Sequence, residues 1–315
     1  MASTALHTFL HGLVDYAGLF PPAQLPMNKA VAEFARLKKS SHAAGVARFI
    51  VPLSRLGEWS EAAAPHLLNG CVPDNEPAPA PWGLSVLLDG PLDDGLMQIE
   101  RFNHEHQAGD GHTHKHAHTA LIDTIEVKIQ TPEIIDVAQE KLPEDLFPFF
   151  ECPHDADFRS FATALAGTGF GAKLRTGGVT PDLFPSSERV ADFLQTFNAA
   201  DVPIKCTAGL HHPVRSLQPL TYKPDSPSHV MHGFLNVFFA AAFVRAANAD
   251  RETVLKILNE TAANAFKFEE GSIGWRDLRL TTHQLEEVRE DFAICFGSCS
   301  YDEPIADMKK LGYLA

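Results

Sequence analysis

The stretch GAKLRTGGVTPDLFPSSERVADFLQTFNAADVPIKCTAG, residues 171–209, decides the fold. It opens on an apolar run of strand length, GAKLRTGG at 171–178, and closes on another, VPIKCTAG at 202–209. Between them SSERVADFLQTFN has helical spacing and a serine placed to cap it. Strand, helix and strand in that order form the unit of a parallel sheet. Working outward, the same alternation fills most of the chain, with strands read at LVDYAGLF (13–20), RFIVPLS (48–54), WGLSVLLD (82–89), TIEVKI (124–129), FPFFECP (147–153) and FAICFGS (292–298). Eight strand–helix units predict one closed parallel (β/α)8 TIM barrel over residues 1–315. The rival is an open doubly wound sheet, since periodicity alone does not reveal closure; the count of eight and the lack of an opening dinucleotide fingerprint favour the barrel.

Two segments interrupt the rhythm. Residues 250–291 form an insertion before the last strand, read as a helix (RETVLKILNE), a hairpin around KFEEGSIGWRDLRLT, and a helix from Thr282. Residues 103–120, NHEHQAGDGHTHKHAHTA, hold six of the sixteen histidines in a run diluted by Gly and Asp, read as a flexible loop on the barrel face opposite the catalytic one.

The bulk composition narrows the function. With 45% hydrophobic and 21% charged residues the chain has ample material for a core. A formal charge of −14 opposes attraction to nucleic acid or to anionic membrane surfaces. The most apolar stretch, GFLNVFFAAAFVRAA, is too short to span a bilayer and reads as a buried helix. The N-terminus lacks signal-peptide features, so a cytoplasmic location is expected. Five cysteines without framework spacing are expected to be reduced and buried. The 22 phenylalanines suggest an aromatic-rich surface with room for a homo-oligomer.

Lys173 and Lys205 occupy equivalent places on consecutive strands, 32 positions apart. Burial and a neighbouring cation both disfavour an ammonium, so one member of such a pair can become a neutral amine able to attack a carbonyl. Other charges gather late in strands: Asp15 on the first, Glu126 and Lys128 on the fourth, Glu151 on the fifth, Arg175 beside Lys173, and Thr207 beside Lys205. Residues two apart on a strand face the same way, and catalytic groups of such barrels lie at the carboxyl ends of strands. The bland reading of the charges is a buried ion network that plugs the barrel. Arg175 suits a carboxylate or phosphate on the substrate, with pairing to Glu151 or Glu126 as the alternative. His211, His212 and Arg215 follow the seventh strand at the rim, and His232 ends the Pro-rich loop SLQPLTYKPDSPSHVMH, which suits a lid.

The order of AKLRTGG, IKCTAGLHHPVR and FGSCS resembles the class I deoxyribose-phosphate aldolase group of Schiff-base barrels. The resemblance implies that Lys173 is the nucleophile, that Lys205 depresses its pKa, that Gly297 and Ser298 cradle a phosphate, and that Glu126 takes the place of an acidic residue. Arg175 replaces a small residue there, Glu126 replaces an aspartate, and the 250–291 insertion has no counterpart. The resulting expectation is an aldolase or lyase that acts on a small anionic carbonyl compound with no cofactor, with Glu126 or Glu151 moving protons. A first alternative uses Glu126, Glu151 and Asp15 to hold a divalent metal that stabilises an enolate. A second makes the chain a non-catalytic metal-binding protein that uses its His-rich loop.

Overall fold

Apolar residues on the barrel strands alternate with inward polar ones, and this pattern requires a helical layer outside to bury the apolar side. The computed structural model describes residues 3–67, 80–106 and 119–314. Its helices are α1 (Thr4–Leu10), α2 (Met27–Leu37), α3 (Leu56–Ala63), α4 (Leu92–His106), α5 (Glu133–Lys141), α6 (Phe158–Leu165), α7 (Ser187–Ala199), α8 (Phe234–Ala247), α9 (Arg251–Leu258), α10 (Thr282–Asp291) and α11 (Asp302–Lys310). Its strands are β1 (Val14–Tyr16), β2 (Val46–Pro52), β3 (Trp82–Leu87), β4 (Ala120–Lys128), β5 (Phe147–Cys152), β6 (Gly171–Arg175), β7 (Ile204–Thr207), β8 (Ser216–Pro219), β9 (Ser228–Met231), β10 (Phe266–Phe268), β11 (Ser272–Trp275), β12 (Leu278–Thr281) and β13 (Ala293–Ser298).

Eight strands close a parallel barrel in the order β1-β13-β7-β6-β5-β4-β3-β2. The chain is a TIM barrel, and all eight strands read from the sequence are its staves. The register places Glu151, Lys173, Lys205 and Cys295 side by side across β5, β6, β7 and β13, so adjacency in the sheet already assembles a polar layer.

The outer layer is aromatic. Tyr16 and Phe49 leave the barrel to meet Phe34 of α2 and Trp59 of α3, while Phe296 meets Phe234 and Phe238 of α8. Most of the phenylalanines are buried and none is among the exposed large hydrophobics, which corrects the expectation of an aromatic surface. Edge-to-face ring pairs and area burial draw them inward. Helix α8 is buried nearly all round, as its unbroken apolar run requires. Helices α6, α7, α9 and α10 start where capping predicts: Asp157, Ser186, Asp250 and Thr281 each accept from a first-turn amide, the last in a capping box with Gln284.

The structure departs from the sequence reading in four places. The first strand ends at Tyr16 rather than Phe20, because the chain turns at once into the loop that carries Pro21 and Pro22. The insertion contains a three-stranded antiparallel sheet, β10-β11-β12, rather than one hairpin; Phe266 adds a strand by packing on Phe239. The Pro-rich segment after β7 contains a two-stranded ladder, β8 with β9, in place of an irregular loop. Helices α1 and α11 add to the predicted set. Residues 107–118, with four of the six clustered histidines, lie outside the described residues; His106 stacks on Phe102 at 4.0 Å between ring centres. Among the described residues no helix is long and apolar enough to cross a membrane. Cys152, Cys206, Cys295 and Cys299 are free and buried, and Cys71 lies outside the described residues.

Candidate functional site

Inside the barrel the parity of five strands turns a ring of charges inward. Lys173 Nζ lies 2.6 Å from Glu126 Oε2 and 2.7 Å from Glu151 Oε2, two close ion pairs. Lys205 Nζ donates to Asp15 Oδ2 and, at 2.8 Å, to Glu126 Oε1. One carboxylate therefore spans both lysines, an oxygen to each. Arg175 Nε approaches Glu151 Oε1 at 3.3 Å, its only ion pair among the described residues. Three cations thus face three carboxylates in one interior.

Burial makes this arrangement costly, because charges removed from water need partners. The side chains of Lys205 and Asp15 have no exposed surface, Glu126 has 1% and Lys173 3%, whereas Arg175 keeps 38%. Burial opposes the charge on Glu126, yet Lys173 and Lys205 hold it far below the usual carboxylate range. Burial likewise opposes the Lys205 ammonium, and Asp15 with Glu126 overcomes it, so its pKa rises above the ordinary lysine value. Glu151 is lowered against burial by Lys173 and Arg175.

Several residues that hold this ring were not singled out in the sequence. Ser85 Oγ donates to Glu126 Oε1 at 2.6 Å, and Cys295 Sγ to Asp15 Oδ2 at 3.2 Å. The amide of Arg48 donates to Asp15 Oδ1 at 3.1 Å. The Phe149 ring centre lies 5.5 Å from Lys205 Nζ, and Gly171 leaves it room, since a Cβ there would sit 2.5 Å from that ring. A lone serine in the apolar run GLSVLL was the legible signal for Ser85.

The remaining sequence candidates divide. Thr207 and Gly297 are register partners at the mouth, and a Cβ on Gly297 would stand 3.1 Å from Thr207 Oγ1. Ser298 is not brought to the interior, because strand parity turns it outward and its hydroxyl donates to Ser300 O at 2.7 Å. Lys128 is exposed at the end of β4, in register with Glu151. Arg215 points away from the ring, donating to His232 Nδ1 at 3.2 Å. His232 meets Pro185 O through Nε2, and burial with the Arg215 charge pushes it down to about 4.

His211 and His212 reach the rim and pair with one helix. His211 Nδ1 lies 3.1 Å from Glu303 Oε2, and His212 Nδ1 lies 2.6 Å from Asp307 Oδ2, both carboxylates belonging to α11. A small cavity of about 90 Å³ opens there, bounded by the loops after β1, β6 and β7, by the β8–β9 segment and by Glu303. At the same rim the loops after β6 and β7 touch: Thr176 Oγ1 donates to Ala208 O at 2.6 Å, and Gly177 and Gly209 pass so closely that a Cβ on either would clash. Among the described residues no group of three or more His, Cys, Asp or Glu is arranged to hold a metal ion.

The fold defines the class, a (β/α)8 barrel of the kind that commonly carries enzymes. No protein-family model matches the chain, and no curated protein or solved structure does.

Proposed function

We propose that the chain is an aldolase- or lyase-type enzyme that forms a Schiff base between Lys173 and a small anionic carbonyl compound. The supporting observation is the sharing of Glu126 between two buried lysines, one oxygen to each. In this reading Lys173 passes a proton to Glu126 or Glu151, the freed Nζ pair forms a bond to the carbonyl carbon, and the carbonyl oxygen leaves as water. Lys205 stays charged and draws on Glu126, which leaves less of that carboxylate to stabilise a Lys173 ammonium. Arg175, ion-paired through Nε and partly exposed, receives the anionic group. A mere structural plug would also be balanced in charge. It would gain nothing from lysine, which can lose a proton, over arginine, which does not.

The test is intact-mass analysis after borohydride treatment with a panel of aldehydes and keto acids, followed by peptide mapping. An adduct on Lys173 that Lys173→Ala abolishes is the expected result. Adducts confined to surface lysines, or none, would overturn the reading.

A further inference from the structure

We propose that His211, held by Glu303, which Tyr222 also engages, takes and returns the proton on the substrate carbon next to the imine; the proposal rests on the Schiff-base reading above. The carboxylates of the inner ring are poorly suited to that step. Glu126 already serves Lys173, Lys205 and Ser85, and Glu151 serves Lys173 and Arg175. A carboxylate held below its usual range by cations is a weak base toward carbon.

His211 has the opposite arrangement. It is 8% exposed and lines the mouth cavity together with Gly178, Ala208 and Gly209, from the loops that follow the two lysine strands. Its Nδ1 faces the Glu303 carboxylate, which must accept, so Nδ1 carries the hydrogen, and in the neutral ring Nε2 is the nitrogen that presents a lone pair. Among the described residues Nε2 makes no hydrogen bond. A carboxylate behind the ring sets its tautomer and orientation and stabilises the imidazolium that forms.

Tyr222 closes the arrangement. It follows β8, and its hydroxyl donates at 3.0 Å to the same Glu303 oxygen that faces His211, with Cys299 Sγ at 3.7 Å. Lys173 and Lys205 have almost no exposed surface, and the β8–β9 segment lines the mouth cavity beside His211; in this proposal that segment moves aside to admit the substrate. Two paired strands alone are marginal in water, and Tyr222 fastens this pair to the mouth. In the reaction the C–H bond breaks, the proton passes to Nε2, and the C–H electron pair forms a carbon–carbon double bond as the C=N pair withdraws onto the imine nitrogen. Reversal in heavy water returns a deuteron to the same carbon.

The experiment uses pyruvate and acetaldehyde as probes with the full chain, and two readouts. Borohydride trapping reports the imine on Lys173; deuterium uptake next to the carbonyl, followed by NMR, reports the carbon proton. His211→Asn is expected to trap like wild type while losing about 100-fold or more of the exchange rate. Glu303→Gln is expected to lower exchange less, and to shift the ring nitrogens of His211 away from a pure Nδ1–H tautomer in nitrogen NMR. A purely structural role would not produce that shift with trapping intact. Exchange unchanged in His211→Asn, or trapping and exchange lost together, would overturn the proposal. Wild type without any adduct would overturn the Schiff-base reading itself, and this inference with it.

Discussion

Two ends of the same barrel both bury opposite charges, and they do so in different ways. Near the amino ends of the strands, Arg48 of β2 grips Asp123 of β4 in a fork, Nε at 2.6 Å and Nη2 at 2.8 Å, with about a third of each side chain open to solvent. Near the carboxyl ends, Glu126 is divided between Lys173 and Lys205 with almost no exposure. The fork joins one cation to one carboxylate, and arginine holds its proton under all ordinary conditions. The upper ring shares each lysine between two carboxylates, Lys173 between Glu126 and Glu151 and Lys205 between Asp15 and Glu126. The lower clamp and the upper ring differ in their connectivity and in the choice of lysine, more than in the number of charges.

The contrast is broken most directly by Lys205→Met. Removing one member of a fully buried network leaves Asp15 and Glu126 uncompensated, and unfolding in urea should show a loss of about 3–5 kcal/mol. A loss below about 1 kcal/mol would mean that water reaches the ring and that it is no more than a second fork.

His232 adds a buried group kept neutral. Its pKa falls from an unfolded value near 6.5 to about 4. A depressed folded value means stability that is complete above pH 6.5 and lost as pH drops toward 4, on the order of 3 kcal/mol. Chemical denaturation at stepped pH should show this limb, and His232→Gln should flatten it. The lowered Glu126 and Glu151 act in the same direction further down, their contribution present above about pH 4.3 and fading in stronger acid. The raised Lys205 acts oppositely: its contribution is whole below about pH 10.4 and fades as pH climbs beyond. If stability were flat from pH 7 to 4, the buried, neutral state of His232 would be refuted.

Asp123→Asn at the lower fork should cost only about 1 kcal/mol, since its pair is partly solvated. A cost equal to that of Lys205→Met would erase the distinction between the two ends. The smallest effect is expected for Tyr222→Phe: global stability within about 0.5 kcal/mol of wild type, with faster amide exchange confined to residues 216–231. Protection unchanged across that segment would show that Tyr222 does not fasten it.

Much of the inner ring was legible because strand parity is rigid. Lys173 and Arg175, Lys205 and Thr207, and Glu126 with its neighbours two apart can be assigned to one face without coordinates. Ser85 and Cys295 were less visible, since small polar residues in apolar runs are common and only the register brings them against Glu126 and Asp15. The same parity turned Ser298 outward, which a motif read residue by residue does not show. Glu303 and Tyr222 carried no local signal at all. They meet His211 through contacts spanning 92 residues for Glu303 and, from Tyr222 to Glu303, 81 residues.

The sequence by itself determined the eight staves, the helices between most of them, and the facing of the two lysines, because periodicities of 2 and 3.6 residues are local properties of the backbone. Only the tertiary structure decided that the sheet closes, that one glutamate lies between both lysines, and that α11 and the β8–β9 segment reach His211. Those facts depend on register and on contacts between distant parts of the chain, which the spacing of residues along it does not encode.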